Sequence, residues 1–204
     1  MLDLLDYRRR VADLYQTVRD SEGDEETWHW FRYQREWLFR THPRSALDEA
    51  QKAAFRELPY FSYNPDYRVI AEVNTQVEPA EFAVDLGSDG TLRYKRIGSV
   101  AFDLPTGSGL LYVYWILGYG GGLFLPFGDA TNGSQTFGGG RYLYDTIKGA
   151  DLGTDGHTIV LDFNYAYNPS CAYNSRWVCP LTPPENRLPF PVEAGELNFP
   201  GIGA

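Results

Sequence analysis

After Pro59 the chain is built from short runs of β-branched and aromatic residues cut by glycine turns, with no helical segment between them. Phe82, Val84 and Leu86 alternate with polar neighbours, Asp89-Gly90 marks a tight turn, and Leu92 with Tyr94 resume the alternation. Such a turn needs positive φ, which glycine supplies without a steric penalty, so this stretch reads as a hairpin. Further strands are predicted over residues 67–77, 100–104, 110–117, 123–127, 141–147 and 158–167, about eight in all. Parallel strands need crossovers of a dozen or more residues, usually helical. Their absence predicts an antiparallel β-barrel or curled β-sandwich.

The first quarter has a different period. Leu2, Leu5, Val11, Leu14, Tyr15 and Val18 recur at spacings near three and four, up to a polar break at Ser21. A second helix begins near Thr27, with Asp24, Glu25 and Glu26 suited to its positive end. Trp30, Tyr33 and Trp37 share one face, and His42-Pro43 stops the helix. Residues 45–48 resemble an N-cap for a third helix through about Arg56. The expected organisation is one domain over 1–204: a helical segment 1–57 packed on a β-barrel core 58–167, then a Pro-rich loop and tail 168–204 lying along the barrel.

The 27 acidic against 18 basic residues, a formal net charge of −9, exclude non-specific nucleic-acid binding, which depends on cationic contacts to phosphate. Five Trp, fifteen Tyr and twelve Phe exclude a disordered chain. The longest apolar run, residues 110–117, falls far below the roughly 20 residues of a membrane span. The first residues lack the basic-then-apolar pattern of a signal peptide, so a cytoplasmic protein is expected. Neither the two cysteines nor His29, His42 and His157 have metal-site spacing, and no cofactor is expected. Gly118–Gly122 lacks the third glycine of a dinucleotide fingerprint and the Gly-Lys-Ser/Thr of a phosphate loop, and reads as a turn.

Two segments carry candidate chemistry. In residues 129–142, Arg141 follows three glycines. It either offers its planar fork to an anionic ligand or pairs with Asp129 or Asp162 to pin a loop. In residues 162–186 polar groups crowd among aromatics, which is costly unless they bond one another or a ligand. There Asn164, Asn168 and Asn186 can exchange hydrogen bonds, and Tyr167, Tyr173 and Trp177 can wall a site. Asp129 and Glu185 are acid–base candidates, and Cys171 is a nucleophile candidate. Cys171 and Cys179 can equally be buried thiols or a disulfide closing the loop between them.

These segments resemble the signature of a prokaryotic family known as domain of unknown function 1684. Asp129, Thr131, Gly133, Thr136, Gly138, Gly140, Arg141 and Tyr142 match one pattern, Asp162 through Tyr173 a second, and Cys179 to Asn186 a third. Phe137 stands where the family has Tyr, Thr182 at a proline position, and Tyr165 where Arg or Lys is common. The resemblance implies a shared scaffold or site in these loops and brings no activity with it. The reading that follows is a small-molecule-binding protein with an anion held by Arg141 at the barrel mouth. The alternatives are an enzyme of hydrolase type at the same place, or a protein that meets a partner or a second copy through its N-terminal helices.

Overall fold

The computed structural model describes residues 1–21 and 23–200. Helix α1 (Leu2–Asp20) buries Val11, Leu14, Tyr15 and Val18, one stripe at helical spacing. It stops where Ser21 turns its amide and hydroxyl back onto the Val18 carbonyl. Helix α2 (Glu25–Thr41) starts from Asp24, whose carboxylate accepts the Thr27 amide at 2.7 Å. Its buried face is Trp28, Phe31, Arg35, Leu38 and Phe39, so a charged residue lies within the apolar stripe. Trp30, Tyr33 and Trp37 stand exposed on the other side. Helix α3 (Glu49–Ala54) is shorter than the sequence suggests and opens with a reciprocal Asp48–Gln51 capping box.

The described residues form eight strands: β1 (Arg68–Asn74), β2 (Glu81–Asp85), β3 (Thr91–Leu104), β4 (Gly107–Ile116), β5 (Gly122–Phe127), β6 (Arg141–Asp145), β7 (Thr154–Asp155) and β8 (Thr158–Asp162). They pair antiparallel in the order β6-β5-β4-β3-β1-β8-β7, with β2 also on β3, and the sheet curls into a half-barrel. Two runs expected as separate strands are one strand, β3, with a register shift between Arg96 and Gly98. The first half of β3 pairs with β2 and the second half with β1. A Cβ at Gly98 would stand 2.8 Å from the Val73 side chain, so the glycine lets β1 approach at the irregularity.

Strand β8 ends at Asp162 and not at 167. The Asp162 carboxylate accepts the Asn164 amide, which folds the chain into a tight 3-10 turn. The chain then returns to the far edge of the sheet, where Tyr167 and Tyr142 exchange backbone hydrogen bonds. The core between sheet and helices joins Val11, Leu14, Trp28 and Phe31 to Leu111, Leu125, Phe127, Leu161 and Phe163.

The Pro-rich tail, over its described residues, packs against the barrel. Asn186 bonds the Tyr112 backbone and the Pro126 carbonyl, tying the tail to β4 and β5. Beyond it, carbonyls of Val192, Ala194 and Glu196 accept hydrogen bonds from Arg141, whose remaining fork contact is Asp129 Oδ2 at 2.9 Å. Both side chains of that pair have no exposed area. Burial pushes the Arg141 pKa down while Asp129 pulls it up. Removing the carboxylate leaves an uncompensated buried charge, and breaking such a pair costs about 3–5 kcal/mol. Asp129→Ala is therefore expected to lower unfolding stability by that order in urea denaturation, and Asp129→Asn, which keeps an acceptor, by less.

Candidate functional site

The residues singled out from sequence separate into a structural group and a smaller group at one cavity. Arg141 and Asp129 form the buried pair described above, and Asp129 also accepts the Thr131 amide and hydroxyl. The glycines before Arg141 serve this packing. Gly140 has φ +89, and a Cβ there would come within 2.6 Å of the Phe127 carbonyl oxygen. Asn164 bonds Asn64 and Asp162, and Asn186 bonds β4 and β5. Glu185 accepts Arg96 at 2.7 Å and the Tyr114 hydroxyl at 3.0 Å. Trp177 donates its indole N–H to the Ala46 carbonyl. Asp129 and Glu185 are thus held by different partners in different places and do not form an acid–base pair.

Tyr167, Asn168 and Tyr173 come together at a cavity between α1, α2 and the β6 edge. Its volume is about 70 Å³, against the roughly 10–15 Å³ that one water needs. Tyr7 and Tyr15 come from α1, Arg35 and Phe39 from α2, and Tyr142 and Asp145 from β6. Lys148, itself more than half exposed, reaches Asp145 Oδ2 at 3.0 Å, and that carboxylate holds the lysine pKa up.

Arg35 donates to Glu196 Oε1 at 2.9 Å and to the Tyr173 hydroxyl at 3.2 Å. Burial alone would lower its pKa, but Glu196 and Tyr173 keep it well above the usual value. Glu196 further accepts the Tyr60 and Tyr173 hydroxyls and the Asn168 amide. Two ion pairs therefore flank the cavity and neutralise one another's charge.

Three buried polar atoms on residues of this wall have no partner among the described residues: the Tyr15 hydroxyl, Asp145 Oδ1 and Asn168 Oδ1. The Asn168 amide nitrogen donates to Leu197 O at 2.8 Å, which assigns the unpartnered atom as the oxygen. Burial pushes the phenols of Tyr7, Tyr15, Tyr142 and Tyr167 up, so all four are neutral at physiological pH. Five other buried polar atoms, Arg141 Nε among them, are also without a partner among the described residues, and these three are set apart by sharing one cavity wall.

The family model for "Protein of unknown function (DUF1684)" matches residues 53–197. The chain belongs to this family. It is similar to the uncharacterized protein from gene locus rrnAC0354 of Haloarcula marismortui, solved by solution NMR. That likeness has 33% identity and a TM-score of 0.59, over 85% of this chain and 93% of the other. No curated protein matches. In this DUF1684 member the segments that carry the family resemblance supply Asn168 and Tyr173 to the cavity, while Arg141 holds the tail. No helix of the described residues is long and apolar enough to cross a membrane, and these residues hold no cluster of three or more potential metal ligands.

Tyr7, Asp145 and Lys148 were not singled out by sequence, and neither was the ionic role of Arg35. Its charge within the buried stripe of α2 was the available signal. Nor was Asp145 read as the end of a strand whose residues are all buried.

Asp162 lies apart, on a cleft of about 430 Å³ beside Arg68, whose Nε is 3.7 Å away. Burial raises its pKa to about 6. A folded-state pKa above the unfolded value of about 3.9 means that the protonated form favours folding. This contribution is present below the unfolded pKa and lost as pH rises through about 6. Urea titrations should show wild type gaining about 1 kcal/mol relative to Asp162→Asn between pH 7 and pH 5.

Proposed function

We propose that this protein binds a small molecule in the cavity between the N-terminal helices and the β6 edge. The observation that carries this is the set of three unpartnered atoms, Tyr15 hydroxyl, Asp145 Oδ1 and Asn168 Oδ1, on one aromatic wall. Two of the three are acceptors only, and the third can donate or accept. The complementary ligand is a compact molecule that donates hydrogen bonds through amino or hydroxyl groups. An anion fits poorly, since it would set acceptor against acceptor. Moreover, four of the five Arg141 N–H groups are occupied by Asp129 and backbone carbonyls. The cavity admits only a few non-hydrogen atoms, so the aromatic rings select by size and exclude bulk water from the polar contacts.

The test is an amide-resonance titration with ethanolamine, glycerol and acetate, each at matched ionic strength and pH. Ethanolamine or glycerol is expected to shift the amides around residues 7–15, 142–150 and 167–170 saturably, and acetate is not. Asp145→Asn should weaken the ethanolamine response by roughly tenfold, the scale of one charge-assisted hydrogen bond. No saturable shift with either donor ligand, or a response led by acetate, would reject the reading.

A further inference from the structure

Cys171 and Cys179, the only cysteines in the sequence, lie beside this cavity without being part of its wall. Both are free thiols and both are partly exposed. Cys171 follows directly after Ser170, which does line the cavity. The Cys171 backbone N–H donates to Cys179 Sγ at 3.3 Å, so the chain folds the second sulfur back onto the first cysteine. Pro180, next to Cys179, is anchored by the Tyr142 hydroxyl on its carbonyl. The segment between the cysteines is held at its other side by Arg176 and Trp177, which donate to carbonyls of residues 45–47. Two sulfurs are thus kept together by anchors on β6 and on the loop before α3.

We propose that Cys179 and Cys171 are a redox-active dithiol, in which Cys179 is the attacking thiolate and Cys171 the resolving thiol, and that they exchange with small-molecule disulfides. The environments of the two sulfurs differ in the sense this requires. The Cys171 side chain lowers the Cys179 pKa, opposed by burial and assisted by the Cys171 backbone N–H on Cys179 Sγ and by the Lys148 ammonium. The neighbouring Cys179 side chain and burial push the Cys171 thiol up. This reverses the assignment expected from sequence, where Cys171 was the nucleophile candidate.

The chemistry is thiol–disulfide exchange. The Cys179 thiolate attacks one sulfur of a disulfide R–S–S–R, forming a Cys179–S–S–R mixed disulfide and releasing RS⁻, which takes a proton from solvent as RSH. The Cys171 thiol then loses its proton to solvent and attacks Cys179 Sγ, forming Cys171–S–S–Cys179 and releasing the second RS⁻. The two cysteine thiols are oxidised by two electrons, and the small disulfide is reduced to two thiols. A thiol closer to neutrality both attacks more readily at physiological pH and leaves more readily on reduction.

The experiment is incubation of the folded chain with glutathione disulfide at pH 7, followed by acid quenching and denatured intact-mass measurement. Wild type should lose two hydrogens and carry no glutathione. Cys171→Ser, which keeps the backbone N–H on Cys179 Sγ, should accumulate one glutathione adduct on Cys179. Cys179→Ser should be modified about tenfold more slowly. Iodoacetamide rates give the same ordering without an exchange step, and wild type alone reports it through peptide mapping of the first site alkylated, even if a variant fails to fold. Equal rates at the two sulfurs, faster reaction at Cys171, or wild type that ends as a glutathione adduct or a disulfide-linked dimer would overturn the proposal.

Discussion

The enclosed guanidinium of Arg141 is the constraint on which the cavity-bearing half of this molecule depends. A cation without exposed area needs most of its donors met, and here one carboxylate and three backbone carbonyls meet four of the five, leaving Nε without a partner among the described residues. Those carbonyls belong to the tail, so folding around Arg141 fixes where residues 192–196 run. That path places Glu196 inside the protein, where it takes Arg35 from α2, the Tyr60 and Tyr173 hydroxyls and the Asn168 amide. The helical layer is thereby held to the half-barrel by a polar anchor in addition to its apolar stripe. The gap left beside the anchor is the cavity.

The polar character of that cavity follows from incomplete pairing at its wall. The Arg35–Glu196 and Lys148–Asp145 pairs each sum to zero charge, so they add no net charge to the site. What remains are two acceptor oxygens and the Tyr15 hydroxyl in a setting of low polarisability, where a hydrogen bond is stronger than in water and an absent one more costly. In the proposed binding role, selectivity comes from matching donors to fixed acceptors, because a ligand lacking them leaves the wall as unsatisfied as before.

Much of the architecture was legible in the sequence because it depends on local periodicity. The stripe Val11, Leu14, Tyr15 and Val18, the acidic residues at the start of α2, the stop at His42-Pro43 and the antiparallel pairing around Asp89-Gly90 all lie within a few residues of their cause. Boundaries were less legible where a side chain overrides the pattern. Asp162 ends β8 through its own bond to Asn164, although the residues beyond it read as strand. The site was legible in part. Asn168 and Tyr173 were found because polar groups crowd among aromatics there. Arg141 offered two readings that only its three-dimensional partners separate, and those partners lie some fifty residues away, on the tail. Tyr7, Asp145 and Lys148 belong to the cavity through tertiary contacts, which no spacing rule encodes.

The dithiol and the cavity share one stretch of chain, and this gives their proximity a thermodynamic meaning. Asn168, Pro169 and Ser170 line the cavity, and Cys171 comes next. On the other strand of the same loop, Cys179 precedes the proline whose carbonyl holds the Tyr142 hydroxyl, and Tyr142 is itself a wall residue. A bond between the sulfurs fixes the separation of two backbone positions, each within one residue of a group that shapes the wall. If the reduced and oxidised loops hold Ser170 or Tyr142 differently, ligand affinity differs between redox forms. Linkage then requires that the ligand shift the reduction potential by the same free energy. Coupling of that kind needs no distant pathway, because the element that both events bias is a loop of nine residues, Cys171 to Cys179, anchored on the cavity.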